Sequence, residues 1–351
     1  MKERNHTIDI IRGFAIITMI GSNLAGEVLV SPHPLWVSVF GSMAAPIFVL
    51  LAGYLVAMGV RSKDYKFSYF FIRGLLTVLV GAFIDSVLWG YYPFFAVDVL
   101  YLTGIAIPLT YFFMKLPNVF KFSIFLIVAL CSPFLRSKFG YSEIPTMIPI
   151  FPNGKFFIPN VQLMTILKHW FIDGWFPIFS WLAVAFSGSL FYDWKSKITN
   201  FKNSDYIKII SFSIILALVG YFLMGTEQRY SVRNNYTEVF YPPTLAYYFI
   251  FISFILILFL LIEYNSKLSV YIPFRLIGVS PMFFYLFHFI IISRVILPYW
   301  GEGKEKNLPL TEYLYSYAFI LLLSLGCTYL IKLIKDRWKN QPFLVKFFIG
   351  G

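Results

Sequence analysis

Ten apolar runs divide the chain, near residues 8–29, 35–60, 69–92, 94–114, 119–135, 172–193, 206–225, 243–263, 280–299 and 311–334. Each approaches or exceeds the length a helix needs to cross a hydrocarbon core of about 30 Å, the fifth being the shortest. The expected fold is therefore all-α, a polytopic membrane helix bundle of about ten transmembrane helices. Composition agrees: 59% of the 351 residues are hydrophobic, 21% are aromatic and only 13% are charged, far from the balance of a soluble domain. Trp36, Trp89, Tyr91, Tyr92, Trp194, Tyr299 and Trp300 fall at run ends, as interfacial rings do.

The formal net charge is +12. A chain embedded in a bilayer has little surface for nucleic acid, so no nucleic-acid partner is expected, and the charge fits cytoplasmic flanks facing anionic lipid. With the N-terminus inside, 20 Lys and Arg residues fall on the cytoplasmic side and 8 on the outer side, with Arg294 inside a run. This bias predicts that both termini are cytoplasmic. Cys131 and Cys327 both lie within apolar runs, which supports neither a disulfide framework nor a thiolate metal site. Four scattered histidines without thiolates make no ligand set, and no metal is expected. Asp9 and Arg12 interrupt the first run, so it does not read as a cleavable signal. The expected location is the cytoplasmic membrane of a prokaryote.

Residues 1–335 are expected to form a single transmembrane domain, and residues 336–351 a basic, amphipathic tail on the inner surface. The largest outer loop, about 136–171, carries Pro145, Pro149, Pro152, Gly154 and Pro159, which argue against a further span. The next outer loop, 226–242, holds Glu227, Arg229, Arg233, Asn234, Asn235 and Glu238, polar enough to read a ligand.

Ionisable groups at membrane depth are costly, so they face a bundle interior or a wet cavity. Here they are Asp9, Arg12, Arg73, Asp85, Asp98, Asp173, His288 and Arg294, with Asn23 as a neutral companion. Eleven residues separate Arg12 from Asn23, about three helical turns, which puts both on one face roughly 16 Å apart. Asp9 lies one turn before Arg12 and can pair with it. Spacing alone also allows a purely structural ion pair at a helix end. Asp98 and Asp173 read as helix caps, and Arg294 as a snorkelling side chain. His288 is either a satisfied core histidine, with Tyr285 a turn away, or a catalytic one. His33 stands between Pro32 and Pro34 just beyond the first run, where an imidazole titrating near neutral pH could deprotonate an amine or hydroxyl.

Three stretches carry a resemblance. The first is Ile8-Asp9-Ile10-Ile11-Arg12-Gly13-Phe14-Ala15-Ile16-Ile17 with Asn23 and Ala45-Pro46-Ile47-Phe48-Val49-Leu50-Leu51-Ala52-Gly53. The others are Tyr241-Pro242-Pro243-Thr244-Leu245 and the segment Phe274 to His288. Together they resemble the heparan-alpha-glucosaminide N-acetyltransferase-like family of transmembrane acyltransferases. The resemblance implies transfer of an acyl group from cytoplasmic acyl-CoA to an amine or hydroxyl of a sugar or glycan on the other side. It also implies acetyl-CoA or another acyl-CoA as donor, and His33 as catalytic base beside Asn23, the arrangement of the family's lysosomal branch. The spacing from Asn23 to His33 is one residue shorter than in that branch, and Ser42 stands where it carries an Asp. Arg12, paired with Asp9, and Arg73 would hold the CoA phosphates. Asn23 would donate to the oxyanion, and His288 would be a second polar wall or an alternative base.

Expected partners are acyl-CoA, the glycan acceptor and membrane lipids, with a homodimer left open. A transporter or flippase for a polar or glycolipid substrate is the competing class, against which stands the lack of a visible inverted repeat. A non-catalytic relative that binds acyl-CoA or lipid is a third.

Overall fold

The computed structural model describes residues 5–198, 202–225, 232–233, 237–239, 244–300 and 308–350. The described residues form helices and connecting loops, with two isolated backbone bridges and no strands. In chain order the helices are α1 (His6–Val28), α2 (Leu35–Gly41), α3 (Ala44–Ser62), α4 (Phe67–Phe83) and α5 (Val99–Lys115). Then come α6 (Asn118–Leu130), α7 (Ser132–Phe139), α8 (Leu163–Lys168), α9 (Ile178–Lys195), α10 (Asn203–Leu223) and α11 (Leu245–Asn265). The last are α12 (Ile272–Gly278), α13 (Pro281–Ile291), α14 (Leu297–Trp300), α15 (Leu310–Arg337) and α16 (Phe343–Ile349).

Among the described residues, seven helical segments are long and apolar enough to cross a membrane, and nine if each of two bent pairs counts as one span. The bent pairs are α6 with α7, at 44°, and the Leu163–Asp173 segment with α9, at 43°. Residues 94–114, read above as a span, contribute the shorter α5.

The chain divides into two compact units. The first comprises Met1–Ile47, Lys202–Pro242 and Phe249–Gly351, and the second Phe48–Phe201 and Pro243–Tyr248.

In the first unit α1 is the central helix. Asn5 caps it, its side chain accepting from the Ile8 amide at 3.4 Å, and most of its residues are buried, whereas α10 buries only Ser213 and Gly220. Its contact with α12 explains the glycine of its first half. Any Cβ on Gly13 would overlap the Phe274 carbonyl, and one on Gly278 would overlap the Asp9 carbonyl. Backbone therefore meets backbone where α12 crosses α1. The Phe14 and Phe274 rings stack beside this contact at 6.3 Å. Tyr317 and Tyr313 on α15 donate to the carbonyls of Ile17 and Gly21 at 2.9 and 3.0 Å. The order of these pairs makes α15 antiparallel to α1. Just past the end of α1, the Leu308 amide donates to the Val28 carbonyl at 2.8 Å and the Leu308 carbonyl accepts from the Val30 amide at 3.1 Å. The buried Ile349 of α16 accepts from Ser280, so the described C-terminal residues return to the His6 end of α1.

In the second unit, Gly53 lies against the Ala185 carbonyl and Gly188 against the Leu50 carbonyl, bringing α3 and α9 to backbone contact. Gly74 and Gly104 do the same for α4 and α5. Small residues allow such approach where lipid supplies no hydrophobic drive between helices. Phe113 and Phe186 stack at 4.0 Å, and Trp181 is fully buried. Lys121, almost fully buried on α6, reaches Asp193 at 3.4 Å, and Arg61 binds the same carboxylate at 3.1 Å.

Candidate active site

Asn23 and His288, separated by 265 positions, meet in the first unit. The Asn23 Nδ2 lies 2.9 Å from His288 Nε2, and the His288 Nδ1 lies 3.0 Å from the Phe284 carbonyl. A carbonyl only accepts, so in the neutral ring Nδ1 carries the proton and Nε2 accepts from the Asn23 amide. His288 is fully buried, while Asn23 is partly exposed. Among the described residues the second amide hydrogen of Asn23 has no protein partner, and it is the donor such a site can aim at a ligand. The Tyr285 ring, one turn before, stands edge-on to the imidazole at 5.6 Å.

At the other end of the stripe, Arg12 Nη1 meets Asp9 Oδ1 at 3.4 Å, with the Arg12 side chain 20% exposed and that of Asp9 4%. The pair anticipated from the three-residue spacing forms. Charges at membrane depth cost about 2.5–3.5 kcal/mol each on insertion scales, and pairing offsets part of that. His33 follows α1 in the short loop before α2, half-buried, with Nε2 3.2 Å from the Leu29 carbonyl. Its neighbour bond Ser31–Pro32 is cis. Arg73 lies in the second unit on α4, where it binds the Tyr69 hydroxyl at 3.2 Å and sits over the Tyr69 ring at 5.7 Å.

The site thus has a guanidinium at one end of the α1 stripe and a neutral amide with an imidazole at the other. Those groups suit a long donor with an anionic head and an activated carbonyl tail. Among the described residues no three His, Cys, Asp or Glu side chains gather as metal ligands.

Residues 4–221 match a family model for the catalytic region of heparan-alpha-glucosaminide N-acetyltransferase. The chain belongs to this family. The match covers more than half of the chain and includes Asp9, Arg12, Asn23, His33 and Arg73, while His288 lies beyond it. No curated protein matches the chain. The Tyr241-Pro242-Pro243 part of the second resembling stretch lies outside the described residues, as do Glu227, Arg229, Asn234 and Asn235.

A second polar centre was missed by sequence reasoning. In the second unit, the five residues His169–Asp173 form a π-helical turn. His169 Nδ1 binds Asp173 Oδ1 at 2.6 Å, and its Nε2 receives the Thr146 amide at 3.2 Å and lies 2.9 Å from the Thr146 hydroxyl. Asp173 Oδ2 also accepts from the Ser142 amide at 3.0 Å and pairs with Lys168 at 3.1 Å. Asp173 is therefore not a helix cap. It ties the loop after α7 to the π turn, and the four-residue spacing of His169 and Asp173 was the available signal. Asp98 does occupy the residue before α5, but its side chain makes no capping bond. Asp173→Ala removes the acceptor of the Ser142 amide and the partner that orients His169 toward Thr146, and faster proteolytic cleavage within residues 140–150 than in wild type is the expected result, read by limited digestion in detergent.

Proposed function

We propose that the protein is an integral membrane acetyltransferase that moves an acetyl, or other acyl, group from cytoplasmic acyl-CoA to an amine or hydroxyl of an extracytoplasmic sugar or glycan. The observation that carries this is the Asn23–His288 pair at 2.9 Å, at the far end of the buried α1 stripe from Arg12, in a chain of this family. About ten spans with both termini cytoplasmic belong to this reading. The Lys and Arg bias supports that topology, as does the return of α16 to the His6 end of α1 within the first unit.

Acyl-CoA, when bound, supplies an activated thioester carbonyl. Arg12, steadied by Asp9, holds anionic phosphate near the start of α1. His288 accepts one Asn23 amide hydrogen and so fixes the amide plane. Asn23 then aims its second hydrogen at the charge developing on the acyl oxygen. His33 takes the proton of the acceptor nucleophile as it attacks. Residues 1–335 act as one catalytic domain, and the basic tail rests on the inner leaflet.

Purified protein in liposomes, with labelled acetyl-CoA on the side facing the termini and glucosamine on the other, tests this directly. Label transfer with glucosamine-dependent CoA release is expected. Flux of the sugar without CoA consumption would show a transporter instead. In the same assay Arg12→Ala should raise the KM for acetyl-CoA by about tenfold or more, the worth of a charge-assisted phosphate contact, and leave the KM for glucosamine unchanged.

A further inference from the structure

Residues 237–239 return to α1 at the level of Asn23. The Ser22 hydroxyl donates to Glu238 Oε1, and the Val239 amide donates to the Ser42 hydroxyl at 2.9 Å. Thr237 Oγ1 lies 3.3 Å from where a Cβ on Gly26 would stand. Glu238 is 7% exposed and Thr237 2%. A carboxylate is costly to bury unless hydrogen bonds compensate it. Ser22 immediately precedes Asn23, so the two side chains leave α1 about 100° apart. One holds a carboxylate and the other an imidazole, on adjoining faces of the same helical turn.

We propose that Glu238 is the acceptor-recognition residue of the transfer site. Its carboxylate, held on α1 by Ser22, takes a hydrogen bond from a hydroxyl or amine of the incoming sugar. That bond directs the nucleophile toward the Asn23–His288 pair. The assignment rests on the acetyltransferase reading and adds to it a residue that the family match, ending at residue 221, does not include.

Kinetics in the liposome assay separate the roles. Glu238→Gln keeps size and an accepting oxygen but loses the charge, and it should raise the glucosamine KM by about tenfold or more, with acetyl-CoA binding by calorimetry unchanged. Glu238→Asp should recover part of the loss. Ser22→Ala, which leaves the carboxylate in place but untethered, should raise the same KM by a smaller factor and covers the case in which Glu238→Gln does not fold. An unchanged glucosamine KM in the folded variants would overturn the assignment. So would a fall in acetyl-CoA binding parallel to the glucosamine effect, which marks a structural role. Wild type that releases no CoA with glucosamine overturns the acetyltransferase reading itself, and that result appears before any substitution is made.

Discussion

His33→Ala is expected to lower acetyl transfer by about 10²–10⁴-fold, the usual worth of a positioned general base, while acetyl-CoA still binds. The His33 Nε2 contact with the Leu29 carbonyl requires a proton on that nitrogen, so Nδ1 is the basic nitrogen of the neutral ring. The loop is short, running from the end of α1 to Leu35, and its amide–carbonyl link to Leu308 anchors the preceding residues. The ring is thus held near the end of the helix that carries Asn23. Asn23→Ala should cost about 10²–10³-fold in kcat, as the loss of one oxyanion donor does, with a small change in the acetyl-CoA KM. The two substitutions differ in pH behaviour. Removing the base should flatten the dependence of transfer on pH near neutrality, whereas removing Asn23 should scale the profile down without changing its shape. A His288→Ala variant that abolishes transfer while His33→Ala retains it would move the base to His288.

Gly278→Ala should abolish a folded first unit. Its Cβ would overlap the Asp9 carbonyl, and the Gly13 amide stands close behind. Both obstacles are backbone atoms of a buried helix, so no side-chain rotation relieves them, and the penalty should exceed the roughly 1–3 kcal/mol typical of overpacked cores. The expected readout is aggregation or loss of the monodisperse peak in detergent, with Gly326→Ala as a control, since a Cβ there meets nothing within 4 Å. Recovery of a stable, monodisperse Gly278→Ala protein would show that α12 does not press on α1 in this way.

The helical character of the chain was legible because apolar runs are a local property. The run at residues 8–29 became α1 at His6–Val28, and that at 311–334 became α15 at Leu310–Arg337. Boundaries failed where apolar composition continued through a backbone break. The run expected to begin at 172 is broken between the π-helical turn that ends at Asp173 and α9: the Trp175 and Phe176 amides are used by the Ala96 and Val97 carbonyls at 2.9 Å, and within α9 Phe179 is extended and Ser180 takes positive φ. The run at 94–114 likewise begins at Val99, after a turn in which Phe94 and Val97 adopt positive φ.

The Asp9–Arg12 pair was readable because a helix places residues three apart side by side. By itself, then, the sequence determined the all-helical character of the chain, the Asp9–Arg12 pair and the family. The pairing of Asn23 with His288, the tether of Glu238 on Ser22 and the contact of Gly278 with Asp9 join residues far apart in the chain. Periodicity records which face of a helix is polar but not which distant group will satisfy it. Only the packing of α12, α13 and residues 237–239 on α1 decides that, because a buried polar atom takes whichever partner the tertiary structure brings within hydrogen-bond reach.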